Sequence, residues 1–131
     1  MDKPHKNLKV WRRSMDFVTI VYQATTSLPP EEKYGLTSQM RRSAVSIVSN
    51  IAEGAARQGS AEYIRFLNMS IGSVSEIDTQ LEVCRRLGFI AEELYKVLDQ
   101  SLAEIDRMLI GLRNSIRRRR RPDDDSTESN P

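Results

Sequence analysis

The sequence holds one cysteine and one histidine among its 131 residues. One cysteine excludes a disulfide within the chain and fits a reducing cytoplasm. One cysteine and one histidine also fall short of the roughly four N/S ligands of a usual zinc site. Di-iron helical bundles need paired Glu-x-x-His motifs, and the lone His5 precedes the first helical pattern. Cys84 has no histidine to activate it and falls on an apolar stripe, so it reads as an inert core thiol. No apolar run approaches the ~20 residues of a membrane span. The first ten residues, MDKPHKNLKV, have no apolar signal-peptide core. The expectation is a cytoplasmic chain of one domain that is no enzyme, holds no metal or cofactor and touches no membrane.

Charge is balanced overall at +2 but uneven along the chain. Residues 1–65 carry ten basic and six acidic groups, and residues 66–116 five and eight. Residues 117–121 are all arginine, and 122–131 hold four acids and no base.

Apolar residues recur with the helical period, and no segment alternates as a strand does. The first helix is expected over about 8–27, capped by Asn7, with a core stripe of Leu8, Trp11, Met15, Val18 and Tyr22. Leu28-Pro29-Pro30 stops it. The second spans about 37–55, capped by Thr37, with Met40, Ala44, Ile47 and Ile51 inward. The third spans about 61–86, capped by Ser60, with Tyr63, Leu67, Ser70, Val74, Ile77, Leu81 and Cys84 inward. The fourth spans about 91–116, can continue into the arginines, and turns Leu94, Leu98, Ser101, Ile105, Met108, Leu112 and Ile116 inward. Four such helices with short loops predict an all-α, antiparallel up-down-up-down four-helix bundle over 1–121. A disordered acidic tail is expected over 122–131, which has no apolar residue to bury.

Helix 2 has too little charge for a surface helix. Residues 43–56, SAVSIVSNIAEGAA, carry only Glu53. Its stripe is flanked by Arg41, Val45, Val48 and Ala52 on one side and by Gln39, Ser43, Ser46, Asn50, Glu53 and Arg57 on the other. Helix 3 has a matching uncharged stretch, Leu67–Ser75, with Gly72 in mid-helix. Such a glycine costs about 1 kcal/mol against alanine, and close backbone approach would explain it. The two helices are either the central pair of a monomer or bury a second face on another subunit, and two apolar sides favour the partner. The expected self-interface is Ser46, Asn50, Ala52, Glu53, Ser70, Gly72 and Ser73.

Several of these residues resemble one known family. Trp11, Leu28-Pro29, Tyr34-Gly35-Leu36, Gln39-Met40-Arg41-Arg42, Ser46-Ile47, Asn50-Ile51-Ala52-Glu53-Gly54, Gly72-Ser73 and Glu76 are similar to the four-helix-bundle family of 23S rRNA intervening-sequence proteins. The likeness spans about residues 8–115, and the run from Ser46 to Gly54 is its most specific part. It implies a small bacterial bundle with no catalytic residues to carry over. Related bundles include the accessory protein of diversity-generating retroelements, a pentameric barrel that binds nucleic acid and associates with a reverse transcriptase. A homopentameric ring is the assembly this resemblance implies.

Up-down-up-down topology gathers the start of helix 1, the end of helix 2, the start of helix 3 and the end of helix 4. Lys3, Lys6, Lys9, Arg12, Arg13, Arg57, Arg65, Arg113 and Arg117, Arg118, Arg119, Arg120 and Arg121 then share one pole with Asp2, Asp16, Glu53 and Glu62. The opposite pole is near neutral. Arginines also suit a helix C-terminus, by about 0.3–1 kcal/mol each, but five in a row exceed that need. The expected function is sequence-independent binding of RNA or DNA phosphates, with the tail acids competing for the arginines. The alternatives are a protein–protein adaptor, such as a reverse-transcriptase subunit, and a structural protein without a nucleic-acid role.

Overall fold

The computed structural model describes residues 1–119; the expectations for Arg120, Arg121 and the acidic tail lie outside them. The described residues form four α-helices and no strand: α1 (Lys9–Thr25), α2 (Leu36–Ala55), α3 (Ser60–Arg86) and α4 (Glu92–Arg119). Short 3-10 turns at Pro4–Asn7 and Pro30–Glu32 lead into α1 and α2. Neither turn was expected, and each opens on a proline, whose fixed φ suits the first helical position. The caps differ from expectation as well. Leu8, Gly35 and Gly59 stand at the N-cap positions of the first three helices, none with a side-chain cap. Thr37 and Ser60 lie inside their helices, and Asn7 closes the first 3-10 turn. α4 continues to Arg119, three residues into the arginine run.

Each helix packs on two others: α1 and α3 each touch α2 and α4. The core between them includes Phe17, Val21, Met40, Ile47, Ile51, Leu67, Ile77, Leu81, Leu98, Ile105 and Leu109. Leu and Ile side chains buried this way contribute about 1.5–3 kcal/mol each relative to exposure. On α2 the whole expected stripe is buried and on α3 all but Tyr63, Cys84 included; on α4 only Leu98, Ile105 and Ile116 of it are buried, and Leu102 and Leu109 fill the core beside them. On α1 the core face is instead Val10, Ser14, Phe17, Val21 and Ala24. Met15 and Tyr22 are exposed, and Leu8, Trp11 and Val18 are half-buried. The two series lie about 100° apart on the helix. Tyr22 meets Arg41 of α2, while Ser14 and Ala24 are buried.

Contacts between α2 and α3 run in opposite chain order. The Ser43 hydroxyl donates to the Glu76 carboxylate at 3.0 Å. The Ser73 hydroxyl meets that of Ser46 at 2.9 Å. The Ser70 hydroxyl donates to the Ile47 carbonyl at 2.8 Å. The tightest approach is at Gly54, where a β-carbon would fall 3.0 Å from Phe66 Cβ and 3.0 Å from Tyr63 Cδ1. Gly72, the glycine expected at a close approach, is exposed and has open space around it. The need for a missing side chain is therefore met at Gly54, where α2 ends beside the first turns of α3.

Candidate nucleic-acid interface

One cavity of about 360 Å³ joins three helix ends. Leu8 comes from the entry to α1, Ser60 and Tyr63 from the start of α3, and Leu112, Ile116 and Arg119 from the end of α4. Its lining is mostly apolar, with Ser60 and Arg119 as the polar and charged members. Burial pushes the Tyr63 phenol above its ordinary pKa, and the Arg119 charge opposes that rise. The Arg119 guanidinium is steadied by donating to the Ser115 carbonyl at 3.3 Å and hydroxyl at 2.7 Å.

The expected basic residues differ in how free they are. Lys9, Arg12, Arg117 and Arg118 are exposed and make no ion pair among the described residues. Arg57 pairs with Glu53 at 3.1 Å and Arg65 with Glu62 at 3.3 Å, one helical turn away in each case. Exposed pairs of this kind are worth about 0.3–0.5 kcal/mol and give way readily to a phosphate. Arg113 donates to the Asn68 side chain at 2.9 Å. Arg13 departs most from the expected cluster. It turns toward α4 and pairs with Glu104 at 2.6 Å, so an acid from mid-α4 offsets its charge.

Phe66 was not singled out in the sequence. Arg57 and Arg65 lie over its ring at 5.0 and 5.2 Å, so one aromatic holds two guanidinium groups, one from the loop after α2 and one from α3. Cation–π contact fixes where these charges stand. The adjacency of Arg65 and Phe66 is the only sequence signal of this contact, since Arg57 reaches the ring from the loop between α2 and α3.

The residues expected at a self-interface divide. Ser70 is fully buried inside the subunit against Ile47, so it offers no surface to a partner. Ser46, Asn50 and Ser73 are half-buried along the α2–α3 seam, where the Asn50 amide donates to the Ser46 carbonyl and hydroxyl at 2.9 and 3.0 Å. Glu53 and Gly72 are exposed. Ala52, eleven residues after Arg41, falls by helical period on the flank of α2 that faces α1. The outer α2–α3 seam nonetheless carries little charge between Ser46 and Gly72, and Met69 is 44% exposed beside it. Among the described residues no group of three metal-ligating side chains is assembled, and no helix is long and apolar enough to cross a membrane.

The model of the 23S rRNA-intervening sequence protein family matches residues 6–111. The chain belongs to that family. This member is also similar to a crystal structure of a protein of unknown function from the S23 ribosomal protein family of Bacteroides thetaiotaomicron VPI-5482. The two share 28% sequence identity and superpose with a TM-score of 0.75 over 80% of this chain and 95% of the other. No curated protein matches the chain. Membership of the 23S rRNA-intervening sequence protein family bears out the resemblance carried by the Ser46–Gly54 run, and that run forms the second half of α2.

Proposed function

We propose that the chain binds RNA or DNA phosphates, without base specificity, at the end where α1 and α3 begin and α2 and α4 finish. The observation that carries this reading is the set Lys9, Arg12, Arg117 and Arg118, exposed and without an ion pair among the described residues, at the start of α1 and the end of α4. Arg and Lys contacts to phosphate release counterions and need no base recognition. The opposite-running contacts of α2 and α3 support an up-down-up-down topology, which is what brings these four ends together. No catalytic role enters the reading. His5 packs edge-on against Trp11 with ring centroids 5.0 Å apart, and Cys84 is buried beside Met40.

Self-association belongs to the same proposal. The weakly charged outer seam of α2 and α3, with exposed Met69 and Gly72, suits contact with a second copy. A ring of five follows from the family resemblance, and such a ring repeats the basic pole five times. Binding is tested by fluorescence anisotropy on labelled duplex RNA and DNA with the variant Lys9→Gln/Arg12→Gln/Arg57→Gln. Equal weakening on every sequence supports the reading; unchanged binding removes it. Light scattering tests assembly: Gly72→Glu, at a site open enough to accept a side chain, should dissociate an oligomer. A wild-type monomer at micromolar concentration contradicts the ring.

A further inference from the structure

A second surface combines aromatic and basic groups far from the pole described above. Near the end of α1 and the start of α2 lies a groove of about 520 Å³, lined chiefly by Tyr22, Lys33, Tyr34, Arg41, Arg42 and Val45. No acidic residue lines it. The nearby Glu32 carboxylate accepts from the Leu36 backbone N–H at 3.4 Å and so faces the first turn of α2.

Its two aromatics are both on the surface. Tyr34 is 87% exposed, a large solvent-facing area for an aromatic that packs on no core residue. Lys33 stands 5.5 Å from the centre of that ring. Tyr22 is 41% exposed and stacks with Arg41, whose guanidinium carbon is 4.6 Å from the ring centre. Arg41 is held in that position by donating from Nε to the Thr25 hydroxyl at 2.9 Å and from Nη2 to the Tyr22 carbonyl at 3.2 Å. The groove therefore offers a preformed Tyr–Arg stack, an open tyrosine ring, and the exposed cations Lys33 and Arg42. Flat aromatic and guanidinium surfaces stack unpaired bases, while neighbouring cations follow the phosphates. A duplex keeps its bases inside and cannot use such a platform.

We propose that this groove is a separate site for single-stranded nucleic acid, in which Tyr34 and the Tyr22–Arg41 stack hold bases and Lys33 and Arg42 hold phosphates. It rests on the nucleic-acid reading but uses different residues from the pole, and the strand type separates the two. The site gives the chain a preference for unpaired RNA or DNA that the pole by itself lacks.

The test is anisotropy of the full chain with a labelled oligouridine of about ten nucleotides, beside a labelled duplex of similar length. Tyr34→Ala touches no core residue and should weaken oligouridine binding about ten-fold, the loss of one stacked base, while duplex binding stays within two-fold (roughly) of wild type. Tyr34→Phe should keep the wild-type affinity, because the ring and not the hydroxyl stacks. Arg42→Gln should weaken oligouridine and steepen no other loss. Replacing Arg117–Arg121 with Gln should weaken both ligands. Failure of that last variant alone removes the pole and leaves the groove standing. The proposal is overturned if Tyr34→Ala binds oligouridine as wild type does, or loses duplex equally. It is also overturned if an acidic peptide with the sequence of residues 122–131 binds the groove in a Tyr34-dependent way and oligouridine does not.

Discussion

Gly54 and Tyr63 approach so closely that a β-carbon on the glycine would sit 3.2 Å from the Tyr63 carbonyl oxygen as well as 3.0 Å from its ring. Backbone cannot step aside as a flexible side-chain tip can. Gly54→Ala should therefore cost about 1–3 kcal/mol through overpacking. Gly72→Ala, in open space on an exposed helical face, should gain about 0.5–1 kcal/mol by restricting the unfolded chain. Urea unfolding of both variants checks the opposite signs. Two losses of equal size would contradict the packing described here.

Two of the buried serines, Ser70 and Ser14, should also differ in sign. Ser70 donates to the Ile47 carbonyl, so Ser70→Ala should cost about 1 kcal/mol. Ser14 is 1% exposed and its hydroxyl has no partner among the described residues. Ser14→Ala removes that unpaired group and should stabilise by about 1 kcal/mol. Thermal unfolding of the pair separates them, and a Ser14→Ala loss would show that its hydroxyl is bonded.

Much of the fold was legible because α2, α3 and α4 carry strong apolar periods over 20 to 28 residues. Helix 1 was read on the wrong face for a physical reason. Trp11, Met15 and Tyr22 are large but remain half-buried or exposed, while the small or polar Ser14, Ala24 and Thr25 are buried beside Phe17 and Val21 on that helix. Side-chain size favours the outer face, while the hydropathy of Val10, Phe17 and Val21 favours the buried one. The sequence places basic residues at four helix ends, but charges alone do not reveal partners. Neither the Arg13–Glu104 pair, which joins α1 to α4, nor the reach of Arg57 from its loop to Phe66 follows from a helical spacing.

Alkaline pH should weaken the fold. Burial raises the Cys84 thiol above its ordinary 9.0, with Glu32 adding to the shift, and burial raises the Tyr63 phenol above 10.0. Both groups are neutral when protonated, and their folded-state pKa exceeds the unfolded value. Their contribution is complete below pH 9.0 and is lost as pH rises through the raised values. The urea midpoint should hold steady at neutral pH and fall above about pH 9. In Cys84→Ala the fall should begin nearer the tyrosine range. A wild-type midpoint that stays level throughout would contradict the burial of both groups. In the native protein Cys84 should react with a thiol reagent only as fast as the chain opens.

The central claim is phosphate binding at the pole, and the salt dependence of affinity tests it most directly. Wild-type binding to duplex DNA should fall linearly on a log–log plot, with a slope near −0.9 for each phosphate neutralised. Replacing Arg117–Arg121 with Gln should weaken binding to all sequences alike and flatten the slope by about one unit per arginine that had met a phosphate. A glutamine variant that binds RNA and DNA as tightly as wild type, with the same slope, would show that the arginine run is not the contact surface.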